Sequence, residues 1–173
     1  MKNMKTWHKV GFVIAGVMAV ASWAIAIAYW GKLPGIIPTH FGISGQPDAW
    51  NPKSIWYTFM IPALQVIMLG FFVFLYYKPQ YSDMPTTLWL MTMEEHKRDH
   101  AFDLIRTMLV GIALWIGALF TYLTYAMNQS ALDKSFGPSP WLMLGLIGGM
   151  IVWLIWWTVK VYRATKTAMS THK

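Results

Sequence analysis

Four long stretches of this chain carry no charged side chain, and they limit its fold more than any other feature. They are Val10–Trp30, Ile55–Tyr77, Thr107–Met127 and Pro140–Val159. A helix needs roughly 20 apolar residues to cross about 30 Å of hydrocarbon, so each run is long enough to span. Lipid offers no hydrogen bonds to a bare backbone, so such a run must pair its own N–H and C=O groups and must be helical. Composition agrees. Apolar residues make up 56% and charged residues 12%, against about 25% charged in a soluble domain. A chain of 173 residues has too little interior to hide that excess from water. The expected fold is an all-α membrane protein, one domain built as a four-transmembrane-helix bundle, with the lipid bilayer as its first partner.

Lysine and arginine set the direction. Of the 14, Lys32, Lys53 and Lys134 fall in loops 31–54 and 128–139; the rest fall in the two tails and in segment 78–106 with the entry to the third span. Cytoplasmic segments carry the excess of such residues. Both termini and loop 78–106 are therefore expected in the cytoplasm, with loops 31–54 and 128–139 outside. Trp30, Trp50, Trp56, Tyr57 and Trp141 then flank the outer ends at headgroup level, and Trp7, Tyr76, Tyr77, Trp156 and Trp157 the inner ends. Lys2–Lys9 followed by an apolar run and Ala24-Ile25-Ala26 also fits a signal peptide, but the run is too long for one, so an uncleaved first helix is expected. The net charge of +7 is explained by this topology. No basic stripe with interleaved aromatics and no nucleic-acid motif is present, so nucleic acid is not an expected partner.

In lipid, helices associate through close packing and polar contacts. Small residues four apart permit that approach: Gly145 and Gly149, with Gly148 beside them, in the fourth span, Ala113 and Gly117 in the third, Ala24 and Ala28 in the first. Packing within the bundle is their expected use; a homo- or hetero-oligomer seam is the alternative. Pro62 should kink the second helix. Gln65 should face the bundle, either bonding a backbone group freed there or lining a cavity. Residues Thr92–Arg106 read as a cytosolic extension of the third helix, opened by the capping box Thr92-Met93-Glu94-Glu95. Leu88–Met91 just before it could lie in the headgroup region.

The chain has no cysteine, hence no disulfide and no thiolate site. The spans hold no acid or base, the residues that mark ion pathways. No phosphate loop and no Ser/His/Asp signature is visible. A stand-alone pump and an enzyme are both unexpected, and no cofactor is implied. Polar chemistry gathers in two places. The first is the outer loop 31–54, with four of the 9 prolines and four of the 13 glycines, a composition that shapes a loop. There His40 and Asp48 could share a proton or a metal ion, although a closed zinc site needs about four ligands. Bonding the loop's own backbone is the plainer role. The second is Glu94–Asp103, where His96 and His100 share a helix face. Lys97 stands where the HExxH signature needs glutamate, so these are weak metal candidates on what reads first as a solvated face. His8 and His172 lie in the tails and show no pattern.

The outer loop carries a resemblance. Leu33-Pro34, Ile37-Pro38-Thr39-His40-Phe41, then Gly45-Gln46-Pro47-Asp48-Ala49-Trp50 and Lys53, resemble the LP-x-x-IP-x-HF…G-x-PD-x-W…K pattern of a bacterial family of uncharacterised membrane domains that includes SdpI-type immunity proteins. The stretch lies, as in that family, directly after the first span, and Pro62 is similar too. The resemblance implies a protein of the bacterial cytoplasmic membrane. For SdpI-like members it implies protection from a secreted peptide toxin, and for some the capture of a transcriptional repressor.

The leading expectation is a non-enzymatic membrane binding protein whose outer loop contacts a peptide or envelope partner. Its contact residues would be Pro38, His40, Phe41, Gly45, Pro47, Asp48, Trp50, Asn51 and Lys53, with the Glu94–Asp103 face meeting an internal partner. The rivals are an accessory structural subunit of a larger membrane complex and a metal or small-molecule carrier.

Overall fold

The computed structural model of the chain describes residues 4–42, 44–78, 81 and 95–170. In chain order it runs α1 (Thr6–Trp30), β1 (Ile36–Phe41), β2 (Pro47–Pro52), α2 (Ile55–Tyr77), α3 (Glu95–Leu132) and α4 (Pro140–Ser170). All four helices are long and apolar enough to cross a membrane, so the chain has the build of a multi-pass membrane protein. The second helix has the expected bounds, and the other three run past theirs. The predicted extension of the third helix joins its span as one helix from Glu95 onward. Thr92–Glu94 of the capping box, and Leu88–Met91, lie outside the described residues. The loop after α1 adds what an all-α fold lacks, a two-stranded antiparallel hairpin.

The third helix is the centre of the bundle, packing against α1, α2, α4 and β1. Its pairing with α1 is read from five polar rungs: Lys5–Asp103, His8–Thr107, Met18–Thr121, Ser22–Thr124 and Tyr29–Gln129. The sequence separation stays between 98 and 103 at every rung, so α1 and α3 run parallel. With α2 returning between them, the helices go up, down, up, down. Each such bond between membrane helices contributes about 0.6 kcal/mol on average, so the ladder fixes register more than it supplies stability.

Small residues make the close approach possible, on a different face of α1 from the expected one. Ala24 and Ala28 are exposed, whereas Gly11, Ala15, Ala19, Ser22 and Ala26 are buried at spacings of four, four, three and four. In the third helix the expected pair does serve the bundle: Ala113 is buried and Gly117 lies under Met18 and Ala15 of α1. Gln65 behaves as a cross-link. Its amide donates to the Gly117 carbonyl and the Thr121 hydroxyl of α3, both at 3.2 Å. It therefore bonds a neighbouring helix, while also lining a narrow void with Ala113 and Gly117.

The α3–α4 contact rests on two tryptophans seated on two glycines. A Cβ built on Gly111 would lie 2.1 Å from the Trp153 ring, and one on Gly149 would lie 2.5 Å from the Trp115 ring. The Trp153 indole N–H also donates to the Met108 carbonyl, at 3.3 Å. Replacing Gly149 by valine forces Trp115 out of its seat, and overpacking of this kind costs about 1–3 kcal/mol. The Gly145→Ala control meets no atom within 4 Å and should be neutral. Unfolding in mixed detergent micelles, followed by tryptophan fluorescence, separates the two.

Candidate functional site

The hairpin is built from residues that poorly suit a sheet, and side chains make up the difference. Pro38, Pro47 and Pro52 have no N–H to donate. The strands pair Ile36 with Pro52, Ile37 with Asn51, Pro38 with Trp50, His40 with Ala49 and Phe41 with Pro47, with the register shifting on both sides of His40. Such irregularities re-aim side chains. Thr39 falls out of the pairing and is held by its hydroxyl, which accepts from the Asn51 amide at 2.7 Å and donates to the Ala49 carbonyl at 3.5 Å.

An isolated two-stranded hairpin is marginal in water, and this one is pinned at three points. At its base the Lys53 ammonium donates to the Trp30 and Leu33 carbonyls at 2.7 and 3.3 Å and sits 4.5 Å over the Trp30 ring. A cation there also meets the negative end of the α1 dipole. Its middle is anchored by Ile37, fully buried with Leu33 and Ala131 and flanked by Tyr29, Trp30 and Tyr57. At its tip Gly45, buried and with φ of 78°, interlocks with the connection between α3 and α4. A Cβ there would lie 2.1 Å from the Pro138 carbonyl oxygen, and one on Gly137 would lie 2.2 Å from the Gly45 carbonyl oxygen. That connection is itself tied. The Asp133 carboxylate accepts from the Ser135 hydroxyl and N–H at 2.6 and 2.9 Å, and these bonds hold it below the usual carboxylate range. Ser54 completes the frame by accepting from the Tyr57 N–H as the cap of α2.

On this frame His40 and Asp48 meet at the surface, Nδ1 to Oδ1 at 2.5 Å, with 69% and 52% of their side chains exposed. An ionised carboxylate can only accept, so Nδ1 carries the hydrogen and Nε2 is left without a partner among the described residues. Trp50 is 38% exposed, with the Lys134 ammonium 5.9 Å from its ring.

Beneath the hairpin lies a cavity of ≈ 470 Å³, within the roughly 300–1,000 Å³ of ligand pockets. Its walls are Ile61 of α2, Leu123 and Met127 of α3, and Met143, Leu144 and Ile147 of α4; its roof is the Thr39–Gly42 strand end with Gly45. Pro138 and Pro140 close the side where α3 passes to α4.

Of the nine expected contact residues, the structure leaves His40, Phe41, Pro47, Asp48 and Trp50 at least partly accessible, as it does Asn51 and Lys53, whose polar groups are engaged within the hairpin and at the end of α1. Pro38 and Gly45 are buried, Asn51 braces Thr39, and Lys53 caps α1. Those four build the hairpin. The second expected place brings less together. His100 is exposed, the His96 side chain lies outside the described residues, and no group of three His, Cys, Asp or Glu converges among the described residues.

A polar cluster that the tail position of His8 concealed sits at the opposite end of the bundle. His8 is fully buried between α2 and α3. The Thr107 hydroxyl donates to the Asp103 carbonyl at 3.0 Å. It therefore accepts from His8 Nε2, at 3.2 Å, and His8 Nδ1 in turn accepts from the Tyr76 hydroxyl at 2.8 Å. Lys5 pairs with Asp103, and the Arg106 guanidinium lies 5.7 Å from the Tyr76 ring. The wiring specifies the neutral Nε2–H tautomer and ties three helices together.

Residues 17–66 match the sequence model of a domain of unknown function, DUF1648. The match takes in the second half of α1, the whole hairpin and the first half of α2, so the segment that resembles a known family carries the hairpin, while the cavity walls on α3 and α4 lie outside it. No curated protein and no solved structure matches the chain.

Proposed function

We propose that this chain is an SdpI-like, non-enzymatic binding protein of the bacterial cytoplasmic membrane, with its termini in the cytoplasm and its hairpin outside. There the hairpin contacts a peptide or an envelope partner. The observation that supports this most is the division of labour within the hairpin. Asn51, Lys53, Gly45 and Pro38 are consumed in holding it rigid, while His40, Asp48 and Trp50 stand exposed on the result. Exposed aromatic and polar groups on a preorganised frame suit recognition, because little side-chain freedom is lost on binding.

A second reading, an accessory subunit of a larger membrane complex, is favoured by α4. The most apolar window of α3 is 44% buried, whereas that of α4 is 0% buried, so its outward face is open to lipid or to another chain. A mild-detergent pull-down tests both, using tagged wild type and the His40→Ala/Asp48→Ala double variant with bound proteins read by mass spectrometry. The expected result is a partner present with wild type and lost with the variant. A partner retained by both transfers the weight to the subunit reading. Empty pull-downs from both count against either partner role.

A further inference from the structure

The cavity under the hairpin has one chemical character along its walls and another at its roof. Ile61, Leu123, Met127, Met143, Leu144 and Ile147 come from three helices that are long and apolar enough to lie in the bilayer. Walls of this character suit a guest that is apolar along the part they touch. At the roof the side chains offering polar atoms are Thr39 and His40. The Thr39 hydroxyl is spent inside the hairpin. His40 is held by Asp48 through Nδ1 and keeps Nε2 unspent. Among the lining side chains His40 is therefore the one with an uncommitted hydrogen-bonding atom, at the hairpin edge of a slot whose other side chains are apolar. The Gly45–Pro138 contact fixes the roof, and Trp115 on Gly149 fixes α4 just beyond the lining residue Ile147, so the slot is formed before anything enters it.

The geometry points to a binding site for a single-chain amphiphile, whose apolar chain lies between α2, α3 and α4 and whose head-group oxygen bonds His40 Nε2. The inference goes beyond the partner role of the hairpin and does not depend on it. A hydroxyl oxygen would donate to Nε2, and a phosphate oxygen would accept from it once the ring is protonated.

The test uses the full chain in mild detergent and a lysophospholipid carrying a photoactivatable diazirine on its acyl chain, with adducts mapped by peptide mass spectrometry. Adducts should concentrate on Leu123–Met127 and Met143–Ile147, and unlabelled lysophospholipid should compete them away. Met143→Trp and Ile147→Trp each fill the slot from α4 and should remove those adducts. Ile67→Trp, on an exposed face of α2, should leave them unchanged. His40→Ala should lower labelling about 2- to 10-fold, the weight of one hydrogen bond. A diazirine alkane of equal length, with no head group, should show no dependence on His40. The inference is overturned if adducts fall as heavily on Val13, Val17 and Val20 of α1, which are exposed, or if both filling variants elute and label like wild type. In either case lipid merely coats the helices. The pull-down result is read separately, so failure here leaves the partner reading standing.

Discussion

Gly45→Ala is expected to loosen the hairpin from the bundle and to destabilise the protein by about 2–5 kcal/mol, since two costs fall on one methyl group. The first is conformational. Gly45 has φ of 78°, and an L-residue pays about 1–2 kcal/mol in the left-handed region. The second is steric, and it is the larger. The new Cβ would stand 2.1 Å from the Pro138 carbonyl oxygen, a backbone atom with little room to retreat. Gly35→Ala is the control, because no atom lies within 4 Å of its Cβ position. Unfolding in mixed micelles should show a large loss for Gly45→Ala and almost none for Gly35→Ala. Equal stability of the two would mean that the hairpin tip does not rest on the α3–α4 connection. Partner capture and lipid labelling should both fall in Gly45→Ala, since both surfaces depend on that seat.

His8→Ala should cost a similar amount, about 2–4 kcal/mol, at the other end of the molecule. The substitution opens a void where a fully buried ring stood, and it leaves the Tyr76 hydroxyl without the nitrogen it donates to. Neighbouring Lys9 is exposed, and Lys9→Ala should stay within about 0.5 kcal/mol. Tyr76→Phe separates the two parts of the effect. It removes one hydrogen bond while keeping the ring, so about 1 kcal/mol should be lost. If His8→Ala unfolds like Lys9→Ala, the N-terminal turn of α1 is not docked between α2 and α3.

The four spans were legible because charge is excluded from lipid, and uncharged runs mark them directly. Their ends were less so. The fourth helix runs on past Val159 to Ser170 through charged residues, where hydropathy gives no signal. The packing face of α1 was present in the sequence as Gly11, Ala15, Ala19, Ser22 and Ala26. In an alanine-rich helix, though, a pair such as Ala24 and Ala28 is equally visible, and only the partner helix decides between them. The outer loop was recognisable as shaped from its prolines and glycines. Its strand pairing was hidden, because proline at Pro38, Pro47 and Pro52 erases the alternation that marks a strand. The bracing roles of Lys53 and Asn51 were not legible, since sequence does not show that a helix end or a threonine hydroxyl stands beside them. The cavity needs walls from three helices far apart in the chain, and no local pattern announces it.

The tryptophan seats between α3 and α4 pair Gly111 with Trp153 and Trp115 with Gly149, so each helix offers a knob and a notch one turn apart, in opposite order. Sliding α4 by a turn would set ring against ring or leave a notch empty, so axial travel is barred. Between that bolt and the fixed corner at Pro138 runs the stretch that walls the cavity, about 13 Å of helix at about 1.5 Å per residue. It includes Gly145 and Gly148, whose Cβ positions meet nothing. A beam clamped at both ends bows in the middle but keeps its length. The slot it borders is thus a gauge that yields to the girth of a guest and holds firm against its reach.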